Sequence, residues 1–251
     1  MQETNGTNEN KEITESKQPI LTHLLALRKT LVISFGAIAV AFVVVFYLFC
    51  TPLMDFITRP IVERGVEIIY TAVSEALVTQ FKVSLIAAVV VACPVIFWQI
   101  WEFVKPALYP NEKRLFKSLF FLALLLFLMG VLFCYNAVYM LAIDFFLVAG
   151  ENLATPLLSI DKYVSFLFAF ILPFGLVFEL PVAIYMMTRV GWVNYAKLKK
   201  ARKYVVLGVF VLAAVLTPPD IVSQVMLGLP MLLLFEVGVQ VSRIVKPRER
   251  S

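Results

Sequence analysis

Six long apolar runs, separated by polar segments, dominate the pattern of this chain. An α-helix needs about 20 apolar residues to cross the roughly 30 Å of hydrocarbon in a bilayer, and most of the runs reach that length. The runs occupy approximately residues 31–50, 78–101, 116–146, 164–187, 204–217 and 221–241. The pattern therefore predicts an all-α membrane protein with six transmembrane helices.

The runs are unequal in length. The third, at residues 116–146, exceeds the hydrocarbon thickness and predicts a helix that tilts or extends beyond the bilayer. The fifth, at residues 204–217, gives only about 21 Å of helix, so it can cross only where the bilayer thins or its flanks snorkel. Pro218, Pro219 and Asp220 then predict a tight turn into the sixth helix, because proline cannot continue a helix.

Composition and charge agree with a membrane location. The chain has 251 residues, of which 61% are hydrophobic and 16% charged, and this is more apolar surface than a soluble domain of that length buries. Eighteen of its 22 basic residues lie in the two terminal segments and in residues 102–118 and 189–203, all on one side of the predicted bilayer. The other four are Arg59, Arg64, Lys82 and Lys162. The positive-inside rule then predicts that both termini are cytoplasmic, in a multi-pass protein of the inner membrane.

The chain divides into three predicted parts. Residues 1–18 are polar, low in complexity and free of any apolar stretch, so they favour a disordered tail and not a cleavable signal peptide. Residues 19–243 form the predicted membrane domain, and residues 244–251 a basic cytoplasmic tail. Between the helices on the side opposite the termini, residues 51–77 and 147–162 are long enough to form an ordered cap.

Several classes of function lack support in the sequence. The basic residues flank apolar runs and do not form a face with interleaved aromatics, so a nucleic-acid partner is not expected. His23 is the only histidine, and Cys50, Cys93 and Cys134 have no metal-ligand spacing, which disfavours a metal site or a histidine relay. There is also no glycine-rich phosphate loop and no nucleophile elbow. The sequence predicts a protein without enzymatic activity or cofactor.

The segment from Trp98 to Leu115 combines acids, bases, prolines and aromatics between two apolar runs. It contains Glu102 and Glu112, and a fixed carboxylate is the natural acceptor for a guanidinium group. On the cytoplasmic side such a segment could bind a cationic peptide.

Two polar residues within the apolar runs are further candidates. An acid inside a membrane costs about 2.5 to 3.5 kcal/mol on insertion scales, so Glu179 is a candidate for a role in function, the alternative being a protonated side chain bonded to a neighbouring helix. Pro173 and Pro181 predict a kink beside it. Gln224 lies one turn after Asp220, and either a partner contact or interfacial capping accounts for it.

Four stretches of the chain resemble the TatC family, the multi-spanning receptor subunits of the twin-arginine protein translocase. They are THLLALRK at 22–29, PVIFWQIWEFVKPALYPNEKR at 94–114, SFLFAFILPFGLVFELPVA at 165–183, and RKYVVLGVFVLAAVLTPPDIVSQVMLGLPMLLLFEVGV at 202–239. The resemblance implies a concave, glove-like shell of six helices in which the fifth and sixth are short. It also implies a receptor that binds the paired-arginine signal peptides of folded proteins and recruits TatA- and TatB-like single-span partners for export driven by the proton-motive force. Copies of the chain are expected to associate within a receptor complex, in contact with membrane lipid.

The resemblance assigns roles to individual residues. It implies signal-peptide binding by Glu112, with Phe103 as a packing or peptide-contact residue and Arg114 more as an orientation charge. Glu102 in the same segment is a further candidate, taken from the residues themselves and not from the resemblance. It implies that Glu179 and Gln224 face partner helices, and that Pro60, like Asp220, belongs structurally to the outer cap. The chain departs from the family at position 26, where alanine replaces the glutamate of the N-terminal motif HLxELR. Two alternatives follow: Glu102 or Glu15 compensates, or binding is weaker.

Two other functions stay open at this stage. A proton-coupled transporter of small solutes would use Glu179 and Glu236 as proton carriers; the alternative for Glu236 is a side chain that snorkels near its helix end. An assembly factor for other membrane proteins would be indifferent to arginine pairs in its cargo.

Overall fold

A computed structural model of the chain describes the backbone of residues 5–104, 113–150, 156–217 and 220–245, and the side chains of 25–102, 118–150, 156–217 and 220–245. Within these ranges there are nine α-helices, two π-helical segments and two short strands. The helices are α1 Asn5–Val44, α2 Cys50–Val62, α3 Glu75–Val104, α4 Lys113–Phe133, α5 Met140–Gly150, α6 Ile160–Val177, α7 Leu180–Arg189, α8 Tyr195–Leu216 and α9 Ile221–Ile244. The π-helical segments are Val45–Phe49 and Cys134–Tyr139, and the strands are β1 Glu67–Ile69 and β2 Leu157–Ser159.

Five helical stretches are long and apolar enough to cross a membrane. They are Leu25–Val62, Glu75–Glu102, Ser118–Gly150, Ile160–Arg189 and Ile221–Ile244. These stretches coincide with five of the six predicted runs and confirm a largely helical, multi-spanning protein. The remaining run lies in α8, which begins nine residues before it in a basic segment, and this segment lowers the mean hydropathy of the helix.

The expectation of a short sixth helix is not confirmed. α9 has 24 residues, or about 36 Å of helix, which is enough to cross the hydrocarbon. In α8 only the C-terminal part is continuously apolar, so a short apolar length there remains a prediction. The glove-like shape and the side of the membrane that carries the termini also remain predictions.

The first two α-helices follow each other through a π-helical segment, with no loop between them. The sequence predicts that the first helix ends near Cys50, but α2 continues helically to Val62. Pro52 lies in the first turn of α2, where the missing N–H of proline costs little. The bend falls at Phe49, whose φ of −121° and ψ of −1° depart from helical values. At the N-terminus, α1 begins at Asn5 and so includes most of the polar segment 1–18. Disorder of this segment in solution remains a prediction.

Two other helical runs are interrupted near their middle. The long third run is continuous from α4 through the π-helical segment Cys134–Tyr139 into α5, and the π geometry places an extra residue in one turn. The fourth run breaks between α6 and α7, where Phe178 and Glu179 form a turn. Pro181 cannot donate a backbone hydrogen bond to the preceding turn, which explains the break that the sequence predicts here.

The strands join two long connections at one end of the molecule. β1 and β2 pair in parallel with Ile68 opposite Leu158, and the all-α prediction missed them because each has three residues. Glu75, at the start of α3, accepts hydrogen bonds from the Ser159 hydroxyl and from the backbone N–H of Asp161 at 3.1 Å. We call this end, formed by α2, β1, β2 and their connections, the cap end.

Long-range polar contacts join α2 and the residues after it to α5 and α6, and join α3 to α6. The Tyr163 hydroxyl donates to the carbonyl of Ile57 at 2.7 Å, and the Arg64 guanidinium donates to both carboxylate oxygens of Asp144 at 2.6 and 3.2 Å. A forked pair of this kind fixes orientation as well as distance. Lys82 pairs with Asp161 at 2.5 Å and also donates to Ser165. The described part of the cap is therefore joined to the long helices by hydrogen bonds and ion pairs, and an ordered cap over residues 51–77 and 147–162 remains a prediction.

The central helices pack through small residues. Gly130 of α4 lies against α6, where an added Cβ would approach the carbonyl oxygen of Phe174 to 2.9 Å. On the facing helix, a Cβ at Gly175 would lie 2.7 Å from the ring of Phe127. In lipid, where helices gain little from hydrophobic burial, such close approach through small residues is a main source of association.

Candidate functional site

A cavity of about 320 Å³ opens between α3, α4 and α7 at the end of the molecule opposite the cap. We call this the basic end, because the first turns of α8 there carry Lys197, Lys199, Lys200 and Lys203. The cavity is lined by Phe97, Ile100, Trp101, Ala123, Glu179, Val182, Ala183, Met186, Met187, Val190 and Trp192. Ten of these eleven side chains are apolar or aromatic, so the cavity suits an apolar segment and offers it one carboxylate.

Glu179 is placed in the cavity by the break between α6 and α7. The residue precedes the first turn of α7, and its carbonyl accepts from Ala183 at 2.8 Å while its N–H donates to Leu176 at 3.1 Å. The side-chain oxygen Oε1 is buried without a hydrogen-bond partner among the described residues. A buried polar atom of this kind costs free energy unless a partner satisfies it. Glu179 is thus oriented for a donor that another molecule could supply.

Part of the cavity lining is formed by residues that recur at helical spacing in the sequence. Glu179, Ala183, Met186 and Val190 recur every three or four residues and so lie on one face of α7. Glu179 was predicted from the sequence as a functional residue, but these apolar neighbours were not. Their helical spacing from the acid was the signal that could have found them.

The segment predicted to bind a signal peptide lies beside this cavity and is partly outside the described residues. Glu102 is an exposed residue in the last turn of α3, directly after Trp101, which is buried in the cavity wall. The backbones of Phe103 and Arg114 belong to the end of α3 and the start of α4, and their side chains lie outside the description. Glu112 also lies outside the described residues.

The N-terminal departure from the family motif is visible on α1. Ala26 is exposed, as are Arg28 and Lys29 on the same helix. α1 packs along α3, the helix that carries Glu102. An exposed methyl group therefore stands where the resemblance leads us to expect a carboxylate.

Gln224 and Glu179 lie at different depths and do not form one site. Gln224 is half-buried in the first turn of α9 at the cap end, and within the described ranges its side chain makes no hydrogen bond. Asp220 caps the same helix by accepting from the N–H of Ser223 at 2.7 Å. Glu179 lies about 28 Å along α6 and α7 from their start at the cap end. Pro60 is also at the cap end, inside α2, where its carbonyl accepts from Arg64 at 2.8 Å.

Glu236 forms an ion pair with a neighbouring helix. Its carboxylate pairs with Arg202 of α8 at 2.5 Å and also accepts from Gln240 at 3.2 Å. The sequence analysis considered Glu236 as a proton carrier or a snorkelling side chain and missed this partner. The pair joins α8 to α9 near the basic end.

Comparison with known proteins gives a consistent result. The sequence model of the family described as Sec-independent protein translocase protein (TatC) matches residues 22–230. The TatC protein of Carboxydothermus hydrogenoformans is 36% identical over 233 residues, covering 92% of this chain and 96% of that protein. The TatC protein of Escherichia coli K12 is 36% identical over 240 residues, covering 94% and 93%. A crystal structure of the twin-arginine translocase receptor TatC superposes with a TM-score of 0.82 at 36% identity, over 88% of this chain and 98% of that one.

Proposed function

The chain belongs to the TatC family, and we propose that its basic end binds the paired-arginine signal peptides of folded proteins. As a member of this family it is a component of the Sec-independent, or Tat, translocase and not an enzyme. Its apolar helices and its relatives make it a multi-pass protein of the inner membrane. The proposal concerns which part of the molecule recognises the cargo.

The observation that carries the proposal is the apolar cavity beside the exposed carboxylate of Glu102. A twin-arginine signal peptide has two cationic side chains followed by an apolar stretch. In our proposal Glu102 and Glu112 accept hydrogen bonds from the guanidinium groups at the rim of the cavity. The apolar stretch enters between Trp101 and Met186, with Glu179 at its inner wall.

The binding free energy requires both the arginine contacts and the apolar contacts. A hydrogen bond to a charged group contributes about 1.5 to 3 kcal/mol net, so two arginine contacts supply about 3 to 6 kcal/mol. Micromolar binding needs about 8 kcal/mol. At about 25 cal/mol per Å², the remaining 2 to 5 kcal/mol corresponds to roughly 80 to 200 Å² of apolar surface removed from water. A cavity lined by Phe97, Trp101 and Met186 offers apolar walls against which such an area can be buried.

Partner recruitment belongs to the same proposal. TatA- and TatB-like single-span helices are the expected partners, and Gln224 at the cap end and Glu179 in the cavity are proposed contacts for them. Both residues carry polar atoms that the described chain leaves without bonds, Oε1 in the case of Glu179. Transport energy would come from the proton-motive force through these assemblies, with copies of the chain associated in one receptor complex.

Peptide capture by a Glu112→Ala variant tests the receptor function. We expect the variant to lose affinity for a twin-arginine peptide by about tenfold or more, and to lose much less for a twin-lysine peptide, because only arginine offers the forked donor that pairs with a carboxylate. Fluorescence anisotropy with labelled peptides and the purified full chain measures both. A Glu112→Gln variant is the matched control for side-chain shape. Equal losses for the two peptides would show that Glu112 supports the segment without reading the arginines.

A proton-coupled transporter is not favoured. The comparisons place the chain in a translocase family, and one of the two acids required by that alternative is paired with Arg202. A proton flux carried by the purified chain alone, and lost in Glu179→Gln, is the result that would revive it.

A further inference from the structure

The outward face of α8 changes from basic to apolar along a single line. With 100° of rotation per residue, Lys199, Lys200, Lys203, Leu207 and Val211 all fall within an arc of about 120°. The three lysines are exposed, and Leu207 and Val211 expose 64% and 56% of their surface. The opposite face carries Leu198 and Val205, which pack into the cluster between α7 and α9.

The three lysines carry uncompensated charge. No Asp or Glu occurs between residues 180 and 219, and within the described side chains none of the three lysines forms an ion pair. Arg202 lies outside this arc and is paired with Glu236, and the Lys197 ammonium donates to the carbonyl of Trp192 at 3.4 Å. Among the residues whose side chains the structure describes, the outward basic surface of α8 therefore has no anionic partner.

Aromatic residues mark the height at which this surface meets the membrane. Tyr204 exposes 66% of its surface, and the Lys203 ammonium lies 5.0 Å from the centre of its ring. Trp192, just before the start of α8, is equally exposed. Tyrosine and tryptophan collect at the level of lipid headgroups. The lysines thus lie at headgroup level, and Leu207 and Val211 lie one and two turns deeper, among acyl chains.

We propose that this face of α8 is a binding site for an anionic glycerophospholipid. The phosphate group accepts hydrogen bonds from Lys199, Lys200 and Lys203, and one acyl chain runs along Leu207 and Val211. Basic clusters next to a transmembrane helix attract anionic headgroups, each lysine adding to the attraction. The apolar continuation over about 12 Å distinguishes a lipid from free phosphate. The positive charge also excludes the cationic signal peptide, so the site is separate from the proposed peptide site.

Native mass spectrometry of the purified full chain tests the site with phosphatidylglycerol and phosphatidylcholine as probes. We expect the Lys199→Gln/Lys200→Gln/Lys203→Gln variant to bind phosphatidylglycerol at least about tenfold more weakly, with little change for phosphatidylcholine. The matched control is Lys29→Gln/Lys162→Gln/Arg243→Gln, which removes the same net charge from exposed positions elsewhere. Equal losses in the two variants, or no loss in the first, overturn the proposal.

Further measurements distinguish a bound lipid from a free anion or a protein partner on this face. Leu207→Ser is expected to weaken the binding of phosphatidylglycerol several-fold. Millimolar inorganic phosphate is expected not to displace the bound lipid, and full displacement by phosphate would mean that the site binds free anions. If the lysine variant keeps phosphatidylglycerol but loses association with a second copy or a single-span helix, the face is a protein interface and the lipid proposal is wrong. Thermal unfolding in detergent checks folding, and a Lys→Arg triple variant is expected to retain the lipid.

Discussion

We propose that residue 26 affects how strongly this chain binds an arginine pair. Ala26 is exposed on α1, which packs along α3, the helix ending next to Glu102. The carboxylates that we propose for peptide binding, Glu102 and Glu112, are both on the segment after Trp101. In this proposal one family carboxylate is absent, and the affinity for the second arginine is expected to depend on Glu102 or on an acid of the N-terminal segment such as Glu15.

Restoring the missing acid gives a direct test. We expect Ala26→Glu to tighten capture of a twin-arginine peptide by about tenfold, since one hydrogen bond between charged groups contributes at least about 1.5 kcal/mol. Anisotropy titrations at two salt concentrations measure the gain, which should shrink at high salt because an exposed pair is screened. Ala26→Gln is the control and should give little gain. An unchanged affinity in Ala26→Glu would mean that another acid already occupies this role.

At the scale of elements, the crossing of α4 and α6 is the place, among the described glycines, where an added Cβ would meet the backbone of another helix within 3 Å. Gly130 faces a backbone oxygen, and backbone cannot move aside as a side-chain tip can. Gly238 shows the contrast: a Cβ there would meet the flexible end of Ile184 on α7. The α4 and α6 pair therefore sets the relative position of the long central helices, and through them the width of the cavity bounded by α3, α4 and α7.

A single methyl group tests this crossing. Gly130→Ala is expected to lower the stability of the folded chain by about 1 to 3 kcal/mol, because the new Cβ would lie 2.8 to 2.9 Å from Phe178 and the Phe174 carbonyl. The control is Gly208→Ala on α8, where nothing lies within 4 Å and alanine favours helix. Denaturation in detergent, followed by circular dichroism, compares the two. Equal stability of both variants would mean that α4 and α6 separate without cost.

Prediction from the sequence succeeded for elements defined by long periodic runs and failed where short-range geometry decides. Apolar length revealed the spanning helices, and Pro181 revealed the break beside Glu179. The continuation of the first helix to Val62 was missed because Pro52 suggests a helix end, whereas the first turn of a helix accepts proline. The three-residue strands were missed because they have no room for an alternating pattern. The cavity was missed because it depends on three helices meeting, which no single run records.

At the scale of the whole molecule, charge divides the two ends. The basic end carries Lys199, Lys200 and Lys203 without acids on the same helix, whereas at the cap end three of the four basic residues, Arg59, Arg64 and Lys82, are paired with acids and Lys162 is exposed. The positive-inside rule counts lysines and arginines near the helix ends and gives acids little weight, so the excess of basic residues at the basic end sets the expected orientation. We therefore expect the cap to lie outside the cytoplasm and both termini inside.

Labelling of single introduced cysteines tests this orientation. Lys162→Cys at the cap end should react with a membrane-impermeant maleimide in intact cells, and Lys199→Cys at the basic end should react only after the membrane is opened. Both positions are exposed, while Cys50, Cys93 and Cys134 are all buried, so the native thiols provide little background and the otherwise unchanged chain is the control. The opposite labelling pattern would invert the protein and place the proposed peptide site on the wrong side for cargo made in the cytoplasm. Labelling of both positions in intact cells would mean that charge does not fix a single orientation.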